Sequence, residues 1–303
     1  MYLSNNMFNS PVIININYTP CNDVCQDLNT WSKSQKENKK VKDLLVDYIG
    51  QVERNKPKAK RIEDCASFIQ FKNYHDIGIR KLESINLCRE RLCLNCQKAL
   101  AKERIPEYMY AVTGEELRHV VLTVKNVKGE FLRQTIQDMR KALKRMMRSA
   151  GIKDYIPSTE ITYNEKTGEY HPHIHLLLKA TDFDISKTAT RKLWADNYNA
   201  ITGTNFKYLI AHNEKVTDST KACFELCKYI SKPASITKDT IPVLYNSLKG
   251  LHMHQANGKF KNKIKEYREQ AHIENEQKEM YLSNFDYILE QYLYNGDNYI
   301  KVE

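Results

Sequence analysis

The sequence contains no apolar run of the roughly 18 residues that a membrane-spanning helix needs. Its N-terminus also lacks the basic start and apolar stretch that are typical of a secretory signal. We therefore expect a cytoplasmic protein with no membrane partner. In that compartment, the eight cysteines favour metal binding or free thiols over disulfides. The sequence shows no internal repeat, and 303 residues suit one main domain with appendages.

The charge is distributed unevenly along the chain. The whole sequence has a formal net charge of +10 and a pI of about 9.0. Residues 269–303 contain eight acidic residues and two lysines, whereas residues 1–268 have a net charge of +16. A strongly basic body predicts an acidic partner, of which nucleic acid is the commonest. A solvated basic surface is the alternative explanation.

Composition and motif density predict four segments. Residues 1–57 are a basic, polar extension that we expect to be partly disordered, and SKSQKENKKVKD within it is typical of a solvated linker. Residues 58–104 form a cysteine-rich module, and residues 105–268 form the main domain. Residues 269–303 are an acidic tail, in which an amphipathic helix is predicted over 272–293.

Hydrophobic periodicity in the main domain predicts the order strand, helix, strand, strand, helix, strand, helix. The corresponding segments are HVVLTVKNV, EFLRQTIQDMRKALKRMMRSAG, a hairpin over 156–164 and 170–179, SKTATRKLWADNYNAI, FKYLIAH, and STKACFELCKYISK with a Ser cap. The first six elements match a split-βαβ arrangement. The predicted fold class is therefore α+β, with helices on one face of an antiparallel sheet and a small cysteine-rich zinc module before it.

Two histidines alternate with apolar residues in the segment STEITYNEKTGEYHPHIHLLLKA. Because side chains alternate across a strand, His173 and His175 share one face, while the face of Ile174 is apolar and can be buried. A histidine pair of this kind also occurs by chance on half-exposed strands. His171 has the same parity, and we expect it to face substrate or solvent.

The hairpin register decides between these interpretations. If Asn164 opposes Glu169 around the EKTG turn, Glu160 lies directly opposite His173 on the face of the imidazoles. Two imidazoles and a carboxylate then converge, which predicts a site for Mg²⁺ or Mn²⁺. A slip of one residue would place Glu160 on the wrong face.

A tyrosine lies in the last predicted helix of the main domain. Glu225 precedes Tyr229 by four residues, and Lys232 follows it by three, so the three share one face of a helix. A tyrosine can be a covalent nucleophile toward a phosphodiester, a carboxylate can activate water, and a lysine can hold a phosphate. The alternative is one of 19 tyrosines half-buried in an ordinary amphipathic helix.

Four cysteines follow the pattern C-x22-C-x4-C-x2-C, which predicts a structural zinc site. The ligands are Cys65, Cys88, Cys93 and Cys96, with His75 as an alternative to Cys65. Basic residues within and after this cluster are the candidate DNA-binding side chains: Arg89, Arg91, Lys98 and Lys125. Cys223 and Cys227 are expected to be core residues.

These motifs together resemble the plasmid rolling-circle replication initiators of the HUH endonuclease superfamily, most closely the Rep branch of small Gram-positive plasmids. The segments HVVLTVKNVKG, TEITYNEKTGEYHPHIHLLL and ELCKYISK resemble its three motifs in order. DCASFIQF and LCRERLCLNC resemble its cysteine region, although the family usually has a proline after the first cysteine of CLNC. LKGLHMHQANGKFKNKIKE resembles the end of the same domain, so the resemblance covers about residues 61–266.

The resemblance implies a metal-dependent, site-specific endonuclease that nicks one strand at the double-strand origin. By motif, Tyr229 is the nucleophile that becomes linked to the 5′ phosphate, His173 and His175 bind the metal, and Glu225 hydrolyses the final phosphodiester. Lys232 matches a lysine often found three residues after the tyrosine. The implied partners are origin DNA, double- and single-stranded, and a host helicase and polymerase; a homodimer is also considered. The alternatives are a relaxase or transposase of the same superfamily, or a zinc-stabilised DNA-binding regulator without catalysis.

Overall fold

The computed structural model describes residues 27–180, 186–227 and 230–302. In chain order, the α-helices are α1 (Leu28–Gly50), α2 (Lys56–Glu63), α3 (Leu94–Val112), α4 (Gly129–Ser149), α5 (Lys187–Thr202), α6 (Ser219–Leu226), α7 (Thr240–Leu248) and α8 (Gly258–Leu282). The strands are β1 (Phe68–Tyr74), β2 (Ile79–Ile85), β3 (Leu117–Thr123), β4 (Tyr155–Asn164), β5 (Glu169–Lys179), β6 (Ala211–Lys215), β7 (Ile288–Tyr294) and β8 (Tyr299–Val302). None of these helices is long and apolar enough to cross a bilayer.

The strands form two four-stranded antiparallel sheets. One has the order β2-β1-β7-β8 and the other β4-β5-β3-β6. In the second sheet, α4 connects β3 to β4, a tight hairpin connects β4 to β5, and α5 connects β5 to β6. The mixed α/β architecture and the antiparallel pairing agree with the predicted fold class.

The predicted apolar face of the second sheet is confirmed as a core. Val120 and Leu122 of β3 are fully buried with Ile174 of β5, against α4 and α5. Helix α4 contributes Met139, Leu143 and Met146 to this core, and its predicted positions Leu132 and Ile136 are buried in the core that contains the cysteines. This helix ends where Gly151 takes a left-handed φ of 71°, a conformation that glycine adopts without steric cost.

Helices α4 and α5 pack on one face of the second sheet, as predicted, and other helices cover part of its opposite face. Leu117, Ile156 and Leu177 point away from the first core and pack against α3, α6 and α8. Cys223 and Cys227 are buried in this second cluster, as expected for core residues. These helices cover one end of the face and leave its other end open, where the histidines lie.

The segment SKSQKENKKVKD, which was predicted to be a solvated linker, lies within helix α1. Asp27 caps its N-terminus by accepting hydrogen bonds from the backbone N–H groups of Asn29 and Thr30. The buried face carries Gln35, Asn38 and Leu45, among other residues. Polar side chains in the first half of this face hydrogen-bond inside the protein, and Val41, Leu45 and Ile49 in its second half pack in the apolar core. The first 26 residues of the predicted extension lie outside the described part of the chain.

The helix predicted over 272–293 is confirmed only for residues 272–282. Helix α8 ends at Leu282, and the tail then forms β7 and β8. Strand β7 pairs with β1, with Gln291 opposite Gln70. The tail therefore completes the sheet of the cysteine-rich region, which is a contact between segments about two hundred residues apart.

Two further elements differ from the prediction. The strand predicted for FKYLIAH begins only at Ala211, where it pairs with Leu122. Helix α6 is capped by the side chain of Asp218 rather than by Ser219, and it ends at Leu226. Beyond it, the backbone carbonyl of Ile230 accepts a hydrogen bond of 2.8 Å from the N–H of Ile161 on β4. Pairing with the edge of the sheet thus ends the helix several residues before Pro233.

Candidate metal centre and its cleft

The hairpin of β4 and β5 brings three predicted ligands to one point. Glu160 pairs directly with His173, and Asn164 pairs with Glu169, so the predicted register is confirmed. Glu160 Oε2 lies 3.3 Å from His173 Nε2 and 3.2 Å from His175 Nε2. One ligand atom from each residue lies within 4.8 Å of the others. The side chains are 12–14 % exposed, so the group faces a cleft and is largely shielded from solvent.

The orientation of these groups suits a shared cation. His175 Nε2 is buried and makes no geometrically acceptable hydrogen bond within the described chain, although it is close to Glu160. Burial alone would raise the pKa of Glu160, but the adjacent imidazoles of His173 and His175 hold that pKa well below its ordinary value. An ionised carboxylate and two imidazoles that face one position form a donor set that can bind a divalent metal.

The three residues open into a cleft of about 460 Å³. Glu225 and Lys232 line this cleft together with His171, as do Val121, Thr123, Thr162 and His212. The structure therefore brings both predicted partners of the tyrosine to the histidine site, although Lys232 lies beyond the end of α6 and does not share a helical face with Glu225. Tyr229 itself lies outside the described residues, between these two positions in sequence.

His119 belongs to the site but was not predicted. Its ring stacks on that of His175 with an interplanar angle of 10°, and its Nε2 lies 3.2 Å from His175 Nδ1. Burial and the neighbouring charge of His175 lower the pKa of His119 to about 4, so it is neutral at pH 7. This contact fixes the orientation of His175. The alternation of side chains along β3 could have predicted this position, since His119 lies on the same face as Val121, which lines the cleft.

The four cysteines of the predicted zinc module are buried and close together. Sγ–Sγ distances are 3.6 Å for Cys65 and Cys93, 3.7 Å for Cys65 and Cys96, and 3.5 Å for Cys88 and Cys96. Four sulfurs at about 2.3 Å from one zinc ion would be separated by about 3.8 Å, so these distances fit a tetrahedral site and not disulfides. The group can hold a metal such as zinc. His75 lies on a separate exposed turn, and Cys65 completes the set.

Polar donors surround these sulfurs. The backbone N–H of Cys88 donates to Cys65 Sγ at 3.3 Å, and that of Arg89 donates to Cys96 Sγ at 3.1 Å. Asn38 of α1 donates to Cys93 Sγ at 3.3 Å and accepts from the N–H of Leu94. Such donors stabilise thiolates, and hydrogen bonds from the other three thiols lower the pKa of Cys93. Helix α1 is thus part of the cysteine site.

Two of the four candidate DNA-binding side chains already contact other groups of the protein. Arg89 is exposed beside the cysteine cluster, with a left-handed φ of 61°. The guanidinium of Arg91 donates to the carbonyl of Leu248, and Lys98 forms an ion pair of 2.6 Å with Glu37. Lys125 follows β3 on the exposed surface. Their DNA-binding role stays a prediction.

Comparison with known proteins gives consistent matches. The model of the family described as "Replication protein" matches residues 79–299. A Protein rep of Staphylococcus aureus is 25% identical over 222 residues, which cover 69% of this chain and 95% of that protein. A Protein rep of Streptococcus pneumoniae is 26% identical over 235 residues, covering 67% and 70%. A Protein rep of Bacillus amyloliquefaciens is 32% identical over 131 residues, covering 40% and 39%. No solved structure matches the chain.

Proposed function

Because this chain belongs to the replication protein family, we propose that it initiates rolling-circle replication of a plasmid by nicking one strand at the double-strand origin. The observation that carries this proposal is the convergence of Glu160, His173 and His175 on a cleft that Glu225 and Lys232 also line. Such a cleft can hold one phosphate against a cation, a general base and an ammonium group.

We also propose that the second sheet is of the HUH type. The order β4-β5-β3-β6, with helices between β3 and β4 and between β5 and β6, supports a split-βαβ core. The histidine pair then lies on a central strand of the sheet, next to β3 and β4.

In the proposed nicking step, the phenolic oxygen of Tyr229 attacks the scissile phosphorus. A new P–O bond forms to the tyrosine, the P–O3′ bond breaks, and the leaving 3′ oxygen ends as a hydroxyl with a proton equivalent to the one lost by the phenol. The 5′ phosphate remains joined to Tyr229 as a covalent protein–DNA linkage. The free 3′ hydroxyl can prime a host polymerase, and a host helicase would separate the strands.

The side chains of the cleft have separate roles in this proposal. Glu160, His173 and His175 would hold Mg²⁺ or Mn²⁺, which polarises a phosphate oxygen when it is bound. Lys232 would hold the phosphate or stabilise the phenolate. Glu225 would take a proton from the water that cleaves the final phosphodiester, so that the cycle ends without a second tyrosine.

The cysteine module would have a structural role. We propose that Cys65, Cys88, Cys93 and Cys96 bind one Zn²⁺ and so fix the loop that carries Arg89 next to α3. Arg89, Arg91, Lys98 and Lys125 are proposed to contact DNA phosphates. The proposal includes a cytoplasmic location and leaves open a homodimer.

A nicking assay tests the proposal. Supercoiled DNA that carries the origin is incubated with Mn²⁺ and with wild-type protein or the Tyr229→Phe variant. We expect conversion to the nicked form by the wild type alone, and mass spectrometry of an origin oligonucleotide should show an adduct on Tyr229. Equal nicking by both proteins would refute the tyrosine assignment.

The same assay separates the alternatives. A DNA-binding regulator without catalysis predicts binding of origin DNA with no nicking by either protein. A relaxase or transposase of the same superfamily predicts a tyrosine adduct on DNA that is not a replication origin. Tyr110→Phe is a matched control, since Tyr110 lies on α3 and hydrogen-bonds to Glu266 rather than lining the cleft.

A further inference from the structure

A second cleft lies between α3 and α8, and no step of the proposed mechanism uses it. Its volume is about 400 Å³. Four cationic side chains line it, from α3 and from the first turns of α8: Arg104, Lys261, Lys265 and Arg268. Glu107 is the single acidic residue of the lining, so the α3–α8 cleft carries a net positive charge.

Two of the four cations are already neutralised. Arg268 forms a bidentate pair with the buried Glu107, with distances of 2.7 and 2.8 Å. Lys265 forms an ion pair of 3.5 Å with Glu269. Arg104 and Lys261 have no acidic partner in the described part of the chain. The uncompensated charge therefore lies where α3 faces the start of α8.

His254 lines the same cleft and has unsatisfied polar atoms. Both of its ring nitrogens are buried, and neither has a hydrogen-bond partner among the residues that the structure describes. Burial and the charges of Arg104 and Arg91 lower the pKa of His254 to about 3, so the ring is neutral and carries one N–H donor. A buried donor without an acceptor is rare in folded proteins, and an anion between Arg104 and Lys261 would bring acceptor oxygens to it.

The backbone places this cleft next to the metal centre. Residues 253–257 run along the free edge of β4, with His254 opposite Ser158. Ser158 is in turn opposite His175 on β5. Since neighbouring strands are about 4.8 Å apart, His254 lies roughly 10 Å from His175 in the row across the sheet. A few nucleotides of one strand span such a separation.

We propose that the α3–α8 cleft binds a backbone phosphate of the single DNA strand, beside the phosphate that is nicked. Arg104 and Lys261 supply the charge, and His254 supplies a neutral donor at the floor. This site rests on the proposed function for the identity of the strand. It would hold the strand at a second point and so restrain the scissile phosphate over the metal.

Fluorescence anisotropy with a labelled, mixed-sequence single-stranded oligonucleotide tests the site at several salt concentrations. The variants are Arg104→Gln and Lys261→Gln, with Arg104→Lys as the conservative change. Lys278→Gln is the matched control on α8, about 26 Å along the helix from Lys261. Urea unfolding checks that each variant is folded.

We expect each of the two glutamine variants at the cleft to weaken single-strand binding on the order of tenfold, as when one charged hydrogen bond to a phosphate is removed. The slope of log Kobs against log salt should become shallower by roughly 0.7 for each phosphate that the variant no longer neutralises. Arg104→Lys should retain most of the affinity, Lys278→Gln should match the wild type, and a duplex of the same sequence should be affected less.

Wild-type affinity in folded Arg104→Gln and Lys261→Gln would overturn the site. A loss of affinity for duplex alone would also overturn it, in favour of a duplex contact. The nicking assay is read separately. Cleft variants that bind poorly, in a protein that never forms a tyrosine adduct, would leave the phosphate site standing and refute the proposed function. A tyrosine adduct, together with wild-type single-strand binding by the cleft variants, would support the proposed function and refute the phosphate site.

Discussion

His173 and His175 meet Glu160 because strand parity and hairpin register act together. Both could be inferred from sequence, since the alternation with Ile174 fixes the face and the EKTG turn fixes the pairing. His119 could have been found by the same parity argument applied to β3. Its contact with His175, however, depends on the pairing of β3 with β5, which no local pattern specifies.

The contact of His119 with His175 gives a first prediction, in which His119 positions a proposed metal ligand. His119→Leu should weaken Mn²⁺ binding by about 10–100-fold, the range for losing a partner that orients a metal-binding histidine. Isothermal titration calorimetry with Mn²⁺ measures this change. His119→Gln, which can still hydrogen-bond to His175 Nδ1, should recover part of the affinity. Unchanged Mn²⁺ affinity in His119→Leu would show that His175 needs no support from β3.

The helices and strands that were predicted wrongly share one cause, which is contact with residues distant in the sequence. Helix α1 was missed because its buried Gln35 and Asn38 bond to groups about thirty to sixty residues away, which a local pattern cannot show. The extent of α6 was overestimated because the segment after it pairs with β4. The tail strands were missed because β7 pairs with β1. By contrast, α4 was predictable, since its burial follows the local helical period.

Asn38 of α1 gives a second prediction. Asn38→Leu should lower the free energy of unfolding by about 1–3 kcal/mol, because it leaves the N–H of Leu94 buried without an acceptor and removes a donor to Cys93. Urea denaturation followed by circular dichroism measures this loss. Lys40→Ala, an exposed position on the same helix, should stay within about 0.5 kcal/mol of the wild type. Equal stability of the two variants would place α1 outside the folded unit of the cysteines.

Glu290 of β7 gives a third prediction, on pH dependence. Burial would raise its pKa, but hydrogen bonds from Lys301, Asn73 and Arg80 hold the pKa at about 2, against an ordinary value of 4.5. A carboxylate with a lowered pKa stabilises the fold above its unfolded pKa, and this contribution is lost as the pH falls toward the folded pKa. Glu290→Gln should therefore cost roughly 2–3 kcal/mol at pH 7.

Urea unfolding of wild type and Glu290→Gln from neutral pH downwards tests the sign. The difference between them should shrink as the pH falls from about 4.5 toward 2. Glu274→Gln, at an exposed position of α8, is the control and should show no such trend. A difference that is constant with pH would mean that Glu290 contributes by packing rather than by charge.

At the scale of the whole molecule, the acidic tail and the basic body are joined by ion pairs. Asp297 pairs with Lys36 of α1, Glu279 with Lys81 of β2, and Glu290 of β7 with Arg80. The tail strands are thus held in the sheet of the cysteine module by backbone pairing and by these ion pairs. The uneven charge was evident from the sequence, but the ion pairs were not, because the paired residues lie about 200–260 residues apart.

Truncation after residue 283 gives a fourth prediction. The deletion removes β7 and β8 and exposes β1, and it also removes Tyr299, whose hydroxyl donates to the carbonyl of Ala66 beside Cys65. We expect the truncated protein to melt at a lower temperature and to lose zinc, as measured by differential scanning fluorimetry and atomic emission. A truncated protein with full zinc content and an unchanged melting temperature would show that the tail is dispensable for the cysteine module.

Glu160, His173 and His175 are proposed to hold one divalent cation in the cleft that Glu225 and Lys232 also line. The most direct measurement is an anomalous difference map from crystals soaked in Mn²⁺. We expect a single strong peak within coordination distance of all three side chains, and its loss in crystals of His173→Ala. A cleft without a peak at saturating Mn²⁺, or a peak that persists in that variant, would contradict it.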